Sequence, residues 1–137
     1  MIAYLDASAV AKLFVEEAGS RRMRELWQSD VPASTSELTI VELACTLAAA
    51  SRARRLSIEL VPSVLDGTFV ADRVVLLPAD TAVVRAAAAV GAERGLRALD
   101  AIHVASALLL EDADPTLVSW DERQRRAAAA EGLLVYP

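Results

Sequence analysis

The amino-acid sequence predicts an α/β fold: a short, mostly parallel sheet with helices on both faces. Three observations lead there. Short apolar runs such as Ile2–Leu5 and Val74–Leu77 have the length and composition of buried strands. Longer segments with helical signatures separate each such run from the next. The chain has 137 residues, 55% of them hydrophobic, which suits one domain (residues 1–137) around one core and argues against disorder.

In chain order, Ile2–Leu5 is the first strand. Residues 8–17 read as a helix with Gly19 as its stop, and Ser20–Gln28 as a second helix. Residues 32–34 make a short extended piece. Residues 36–54 read as a long helix; the run Ser34-Thr35-Ser36-Glu37 before it resembles a capping box with Glu37 as its acidic partner. Residues 57–71 read as a helix made irregular by Pro62 and Gly67. Val74–Leu77 is a strand closed by Pro78, and residues 79–94 form an alanine-rich helix ending at Gly95. Residues 98–110 form a helix that is apolar almost all round and so belongs in the core. Residues 117–120 are a strand, Glu122–Ala130 a helix ended by Gly132, and residues 133–136 a last strand.

Bulk properties remove several classes of protein. No apolar run is long enough to cross a bilayer, and no basic segment precedes an apolar stretch at the start, so a cytoplasmic location away from membranes is expected. Cys45 is the only cysteine, which rules out an internal disulfide and a cysteine-based zinc cluster. Within Leu43-Ala44-Cys45 it is expected to be a buried small hydrophobe. The net charge of −5 counts mildly against a nucleic-acid substrate. A cluster of carboxylates neutralised by bound cations would account for most of that excess. Lys12 is the only lysine among 14 basic residues, and arginine suits bidentate phosphate contacts, although the 28 alanines point to codon bias as the simpler source.

In parallel α/β sheets ligands bind beyond the carboxyl ends of the strands, so residues that follow strands are the ones to inspect. Asp6 follows the first strand in Tyr4-Leu5-Asp6-Ala7-Ser8, where Ser8 can add a hydroxyl; the competing role for either is a helix cap. Asp121 holds the same kind of place in Leu117-Val118-Ser119-Trp120-Asp121, with the same alternative. Glu42 lies in Leu38-Thr39-Ile40-Val41-Glu42-Leu43-Ala44, a charge among apolar neighbours that is costly unless paired or metal-bound. Its alternative is a narrow solvated stripe shared with Glu37 and Thr46. Asp100 opens Leu99-Asp100-Ala101-Ile102-His103-Val104-Ala105, where the helix dipole favours it and where it can bind an ion or act only as a cap. His103, the only histidine, shares a face with Asp100 and is expected to be a satisfied structural residue. A site of carboxylates alone selects Mg2+ or Mn2+ over zinc. No phosphate-binding glycine loop and no nucleophile elbow is present. A phosphorylated-aspartate enzyme would want an acid where Ser8 stands and a downstream lysine, and Lys12 is the only lysine.

Taken together, Tyr4-Leu5-Asp6-Ala7-Ser8, the Glu42 helix, Leu99-Asp100-Ala101-Ile102-His103-Val104-Ala105 and Ser119-Trp120-Asp121 resemble the PIN-domain family, specifically VapC-type toxins of prokaryotic toxin–antitoxin pairs. Order, spacing and length agree along the whole chain. The resemblance implies a three-layer α/β/α sandwich, cleavage of single-stranded or structured RNA, a Mg2+ or Mn2+ site, a homodimer and a small antitoxin partner. It makes Asp6, Glu42, Asp100 and Asp121 the catalytic metal ligands, with Ser8 and Ser119 as supporting polar groups; Ser119 stands where the family often has threonine. Water attack at a metal site of this type is expected to leave 5′-phosphate and 3′-hydroxyl ends. Arg21, Arg22, Arg52, Arg55, Arg94 and Arg97 are candidates for holding the phosphate backbone, with solvated helix faces as their alternative. The alternative is a catalytically silent PIN-fold module that binds RNA or protein. For the dimer, Leu26-Trp27 and the apolar residues 58–70 exceed what one small core needs.

Overall fold

The computed structural model describes residues 1–53 and 73–137. Five strands form one parallel sheet in the order β3-β2-β1-β4-β5: β1 is Ile2–Leu5, β2 Ala33–Ser36, β3 Val74–Leu77, β4 Pro115–Val118 and β5 Leu134–Tyr136. Six α-helices are described: α1 Ala7–Ala11, α2 Ser20–Gln28, α3 Leu38–Arg52, α4 Thr81–Arg94, α5 Ala98–Leu108 and α6 Glu122–Ala130. The chain starts in the middle strand, builds outward through β2 and β3, then crosses to the other side of β1 for β4 and β5. The direction of building therefore reverses between β1 and β4, and the crevice at their carboxyl ends is where such sheets bind ligands.

Alternation along the strands makes two cores. Ala3 and Leu5 point to one face, where they meet Val10, Met23, Leu43 and Leu47 from α1, α2 and α3. Tyr4 points to the other, among Val83, Ala87 and Val90 of α4, Val104 and Ala105 of α5 and Ala128 of α6. The same switch separates Leu117 from Val118 in β4. This is the three-layer sandwich that the sequence predicts.

In α3 the inward positions Thr39, Leu43, Leu47 and Ala50 recur at helical spacing. Cys45 is two residues from Leu43 and Leu47, on the outward side, and is exposed rather than buried; its apolar sequence neighbours belong to the opposite face. The α4 helix begins at Thr81, because Asp80 is its N-cap and accepts from Ala82 N–H at 2.9 Å and Val83 N–H at 3.0 Å. It ends at Gly95 in the left-handed conformation, as predicted. Gly91 lets α5 approach closely, since a Cβ there would lie 2.9 Å from Ala101 Cβ. Asp80→Ala is expected to destabilise the chain by about 1 kcal/mol in chemical denaturation, the usual cost of an N-cap.

Other expectations need correction. The first helix stops at Ala11, with Lys12 as its C-cap, rather than running to residue 17. At this end Lys12 is buried, paired with Glu17 five residues on at 2.7 Å and stacked 5.1 Å over the Trp120 ring. Gly19 does not stop this helix but begins α2, at φ 93° against the Trp120 ring. The capping box is absent: Glu37 makes no side-chain cap, and its carboxylate accepts from Ala79 N–H at 3.0 Å, tying α3 to the β3–α4 loop. The second strand extends to Ser36, where residues 32–34 were expected, because Ser34, Thr35 and Ser36 pair with β3. The fourth strand is Pro115–Val118 rather than residues 117–120, so Ser119 and Trp120 separate it from Asp121. The α5 helix ends at Leu108, two residues short of its predicted end. The expected helix at residues 57–71, the dimer surface at residues 58–70 and Arg55 lie outside the described residues.

Candidate active site

Asp6 follows β1 and caps α1, its carboxylate accepting from Ala9 N–H at 2.7 Å. The Ser8 hydroxyl lies 2.9 Å from both of its oxygens, and Ser119 Oγ lies 2.7 Å from one. The residue is 4% exposed. Burial raises its pKa above the ordinary aspartate range, and the hydrogen bonds from Ser119 and Ala9 pull it partly back.

Ser119 connects this carboxylate to the end of β4. Its Oγ accepts from Asp121 N–H at 3.0 Å and lies 2.6 Å from Gln124 Oε1. A hydroxyl has one proton, so it cannot donate to both Asp6 and Gln124. The chain is satisfied when Asp6 carries a proton, since turning the Gln124 amide over instead would set its oxygen against the Asp100 carbonyl. Gln124 is wholly buried, and its amide also reaches the Asp100 carbonyl at 3.4 Å. Asp121 caps α6, accepting from Gln124 N–H at 3.0 Å. One polar network thus ties the ends of β1 and β4 to the first turn of α5.

Asp100 lies in that first turn and is half-buried. No described residue donates a hydrogen bond to its carboxylate. Its pKa is raised, first by burial and next by the Asp121 charge, with Glu42 adding to this; Arg97 and His103 act in the opposite direction. Asp100 therefore sits in a field of like charge. Glu42 comes from the other helical layer, and Oε2 lies 2.8 Å from His103 Nε2. His103 Nδ1 is 2.9 Å from the Tyr4 hydroxyl, so both ring nitrogens are partnered, as expected of a structural histidine. Burial raises the Tyr4 pKa far above the ordinary tyrosine range, so its hydroxyl stays protonated.

Both serines singled out in the sequence thus touch Asp6, and Asp121 shares Ser119 with it. Glu42 joins the set through His103 and through its charge on Asp100. Among the described residues, no three His, Cys, Asp or Glu side chains close around a point in metal-holding geometry. The donor set nonetheless fits a hard divalent cation. It is all carboxylate oxygen, Asp100 is unclaimed by donors among the described residues, and the like-charge pressure on it is what a cation relieves.

Sequence reasoning missed Gln124, Tyr4, Thr35 and Thr39. Thr35 Oγ1 donates to the Leu5 carbonyl at 2.6 Å and lies 2.7 Å from Thr39 Oγ1, buttressing the strand end before Asp6. Its only signal was a pair of threonines at helical spacing. Of the arginines, Arg94 is taken by Glu131 at 2.7 Å, Arg21 lies 3.9 Å from Glu25, and Arg22 and Arg52 are exposed. Arg97 is exposed and near enough to Asp100 to act on its pKa. No helix among the described residues is long and apolar enough to cross a membrane.

A parallel sandwich with carboxylates gathered at the switch point of its sheet has the architecture of an acidic-site α/β domain. The chain belongs to the PIN-domain family, whose profile matches residues 3–130. It is 36% identical over 139 residues to ribonuclease VapC45 of Mycobacterium tuberculosis, covering 99% of this chain and 95% of that one. Ribonuclease VapC35 of the same organism is 36% identical over 137 residues, with 96% and 93% covered. Among solved structures, FitAcB from Neisseria gonorrhoeae superposes with a TM-score of 0.68 at 17% identity, covering 99% of this chain and 97% of that one. VapBC2 from Rickettsia felis bound to a DNA fragment from its promoter gives 0.67 at 16% identity, with 99% and 98% covered. These two likenesses bear on the fold.

Proposed function

We propose that this chain is an endoribonuclease that depends on Mg2+ or Mn2+, and that it is the toxin of a VapBC-type toxin–antitoxin pair. The observation that carries the reading is the polar network joining Asp6, Ser119, Asp121, Gln124 and Asp100 at the switch point of the sheet. The two Mycobacterium tuberculosis relatives at 36% identity are ribonucleases by name. Asp6, Glu42, Asp100 and Asp121 would hold the cation. When bound, it supplies positive charge for the scissile phosphate and lowers the pKa of a coordinated water.

The remaining work falls to the protein. Ala9 N–H, Ser8 and Ser119 fix the orientation of Asp6. Asp121 is held by the first turn of α6, and it or Asp100 orients the attacking water. Arg97, whose charge acts on Asp100, carries an exposed guanidinium suited to a backbone phosphate. A small antitoxin, a homodimer and a cytoplasmic location belong to the same proposal. Leu26 and Trp27 pack partly against the core, so less of the dimer surface falls to them than their sequence suggests.

The test is cleavage of a labelled RNA by the purified chain, first in chelator and then with Mn2+ or Mg2+ added back. Cleavage should be absent in chelator and return with the metal. RNA binding without cleavage at every metal concentration would favour the silent binding module instead.

A further inference from the structure

We infer that His103 and Tyr4 are positioning residues that hold the Glu42 carboxylate in place for the cation, through the buried chain Tyr4 Oη–His103–Glu42. This rests on the reading of Glu42 as a metal ligand. A carboxylate only accepts hydrogen bonds, so His103 Nε2 carries a proton and donates to Glu42 Oε2 across 2.8 Å. Nδ1 lies 2.9 Å from the Tyr4 hydroxyl, which can partner the ring nitrogen whether that nitrogen accepts or donates. Tyr4 is wholly buried and the His103 side chain is 3% exposed, whereas that of Glu42 is 19% exposed and so reaches the site's opening. The second oxygen of Glu42 takes no hydrogen bond from any described residue.

The placement of the three residues distinguishes this chain from an incidental buried histidine. Tyr4 lies two residues before Asp6 on β1. His103 lies one helical turn after Asp100 on α5. Glu42 projects from α3, in the opposite helical layer. The chain therefore ties together the three elements that carry Asp6, Asp100 and Glu42. A glutamate side chain at a partly open position otherwise samples several rotamers. Histidine-mediated support of a carboxylate in this way orients the metal ligand, and losing such support commonly weakens metal binding by roughly tenfold to a hundredfold.

The test is Mn2+ affinity of the full chain, measured by calorimetry without RNA, in the parent and in Glu42→Gln, His103→Leu, His103→Gln and Tyr4→Phe, with circular dichroism to confirm folding. His103→Leu should raise the Mn2+ Kd roughly tenfold. Tyr4→Phe should raise it by a smaller factor, about threefold, by freeing the ring to turn. His103→Gln, whose amide can reach the Nε2 position, should recover most of the affinity. A role in packing alone predicts no such rescue and no change in Tyr4→Phe. If His103→Leu does not fold, an unchanged Kd in Tyr4→Phe overturns the inference. If Glu42→Gln weakens Mn2+ binding while the His103 and Tyr4 variants match the parent, positioning is wrong and the ligand assignment stands. If Glu42→Gln also binds Mn2+ as the parent does, Glu42 is not a ligand and both fail.

Discussion

Asp6→Asn is expected to lower RNA cleavage by roughly a hundredfold or more, a loss of a few kcal/mol of charge stabilisation, while the chain stays folded and melts higher in chelator. The amide keeps one oxygen for Ala9 N–H and places an N–H2 group against Ser119. Ser119 can then accept from residue 6 and donate to Gln124, which removes the competition for its single proton. Asp100→Asn should behave alike, because it removes the repulsion from Asp121 and Glu42. Both carboxyls have folded pKa values raised above the ordinary 3.8. The folded, metal-free chain therefore binds more protons than the unfolded chain between that value and the raised one. Their contribution to stability is fully present below 3.8 and is lost as pH rises through the raised values. Melting in chelator from pH 4 to 8 should show the parent losing stability relative to both variants as pH rises. Loss of activity through unfolding of both variants would make the residues structural caps, and unimpaired cleavage by Asp6→Asn would remove it from the metal site.

Gly19→Ala is expected to destabilise the fold by about 2–5 kcal/mol, combining left-handed backbone strain with overpacking. Gly19 has φ 93°, and a Cβ there would lie 2.2 Å from Trp120 Nε1 and 2.5 Å from Cε2. A rigid indole cannot move aside as the tip of a flexible chain can. This ring is also held, edge to face with Tyr136 at 6.3 Å and under Lys12 at 5.1 Å. Trp120 lies between Ser119 and Asp121, so displacing it disturbs the site as well as the core. Chemical denaturation measures the loss, and a change within 0.5 kcal/mol would mean that the loop relaxes freely.

The strands that were clearest in the sequence, Ile2–Leu5 and Val74–Leu77, were apolar runs with punctuation at their ends. The Glu122–Ala130 helix was legible for the related reason that Gly132 follows it. The end of the first helix was not, because Lys12 turns to Glu17 and packs over Trp120, which comes from the far end of the chain. The carboxylates at strand and helix ends were legible because a charge in such a place has few roles. Gln124 was not: an amide within Arg123-Gln124-Arg125 reads as surface, and its burial depends on Ser119 and Asp100 arriving from elsewhere. The Tyr4–His103–Glu42 chain was hidden because its members are 99 and 61 residues apart.

On the proposed function, the acidic edge of this sheet directs water onto an RNA phosphate with the help of a divalent cation. The most direct measurement is the chemistry of the cut ends after digestion of a labelled RNA with Mn2+. Water attack leaves 5′-phosphate and 3′-hydroxyl ends, and those are the ends expected, with none formed in chelator. The alternative route, attack by the neighbouring 2′-hydroxyl, needs a free acid–base pair, whereas the one histidine here is committed to Tyr4 and Glu42. Products ending in 2′,3′-cyclic phosphate and formed equally well in chelator would mean that neither water nor a cation does this chemistry.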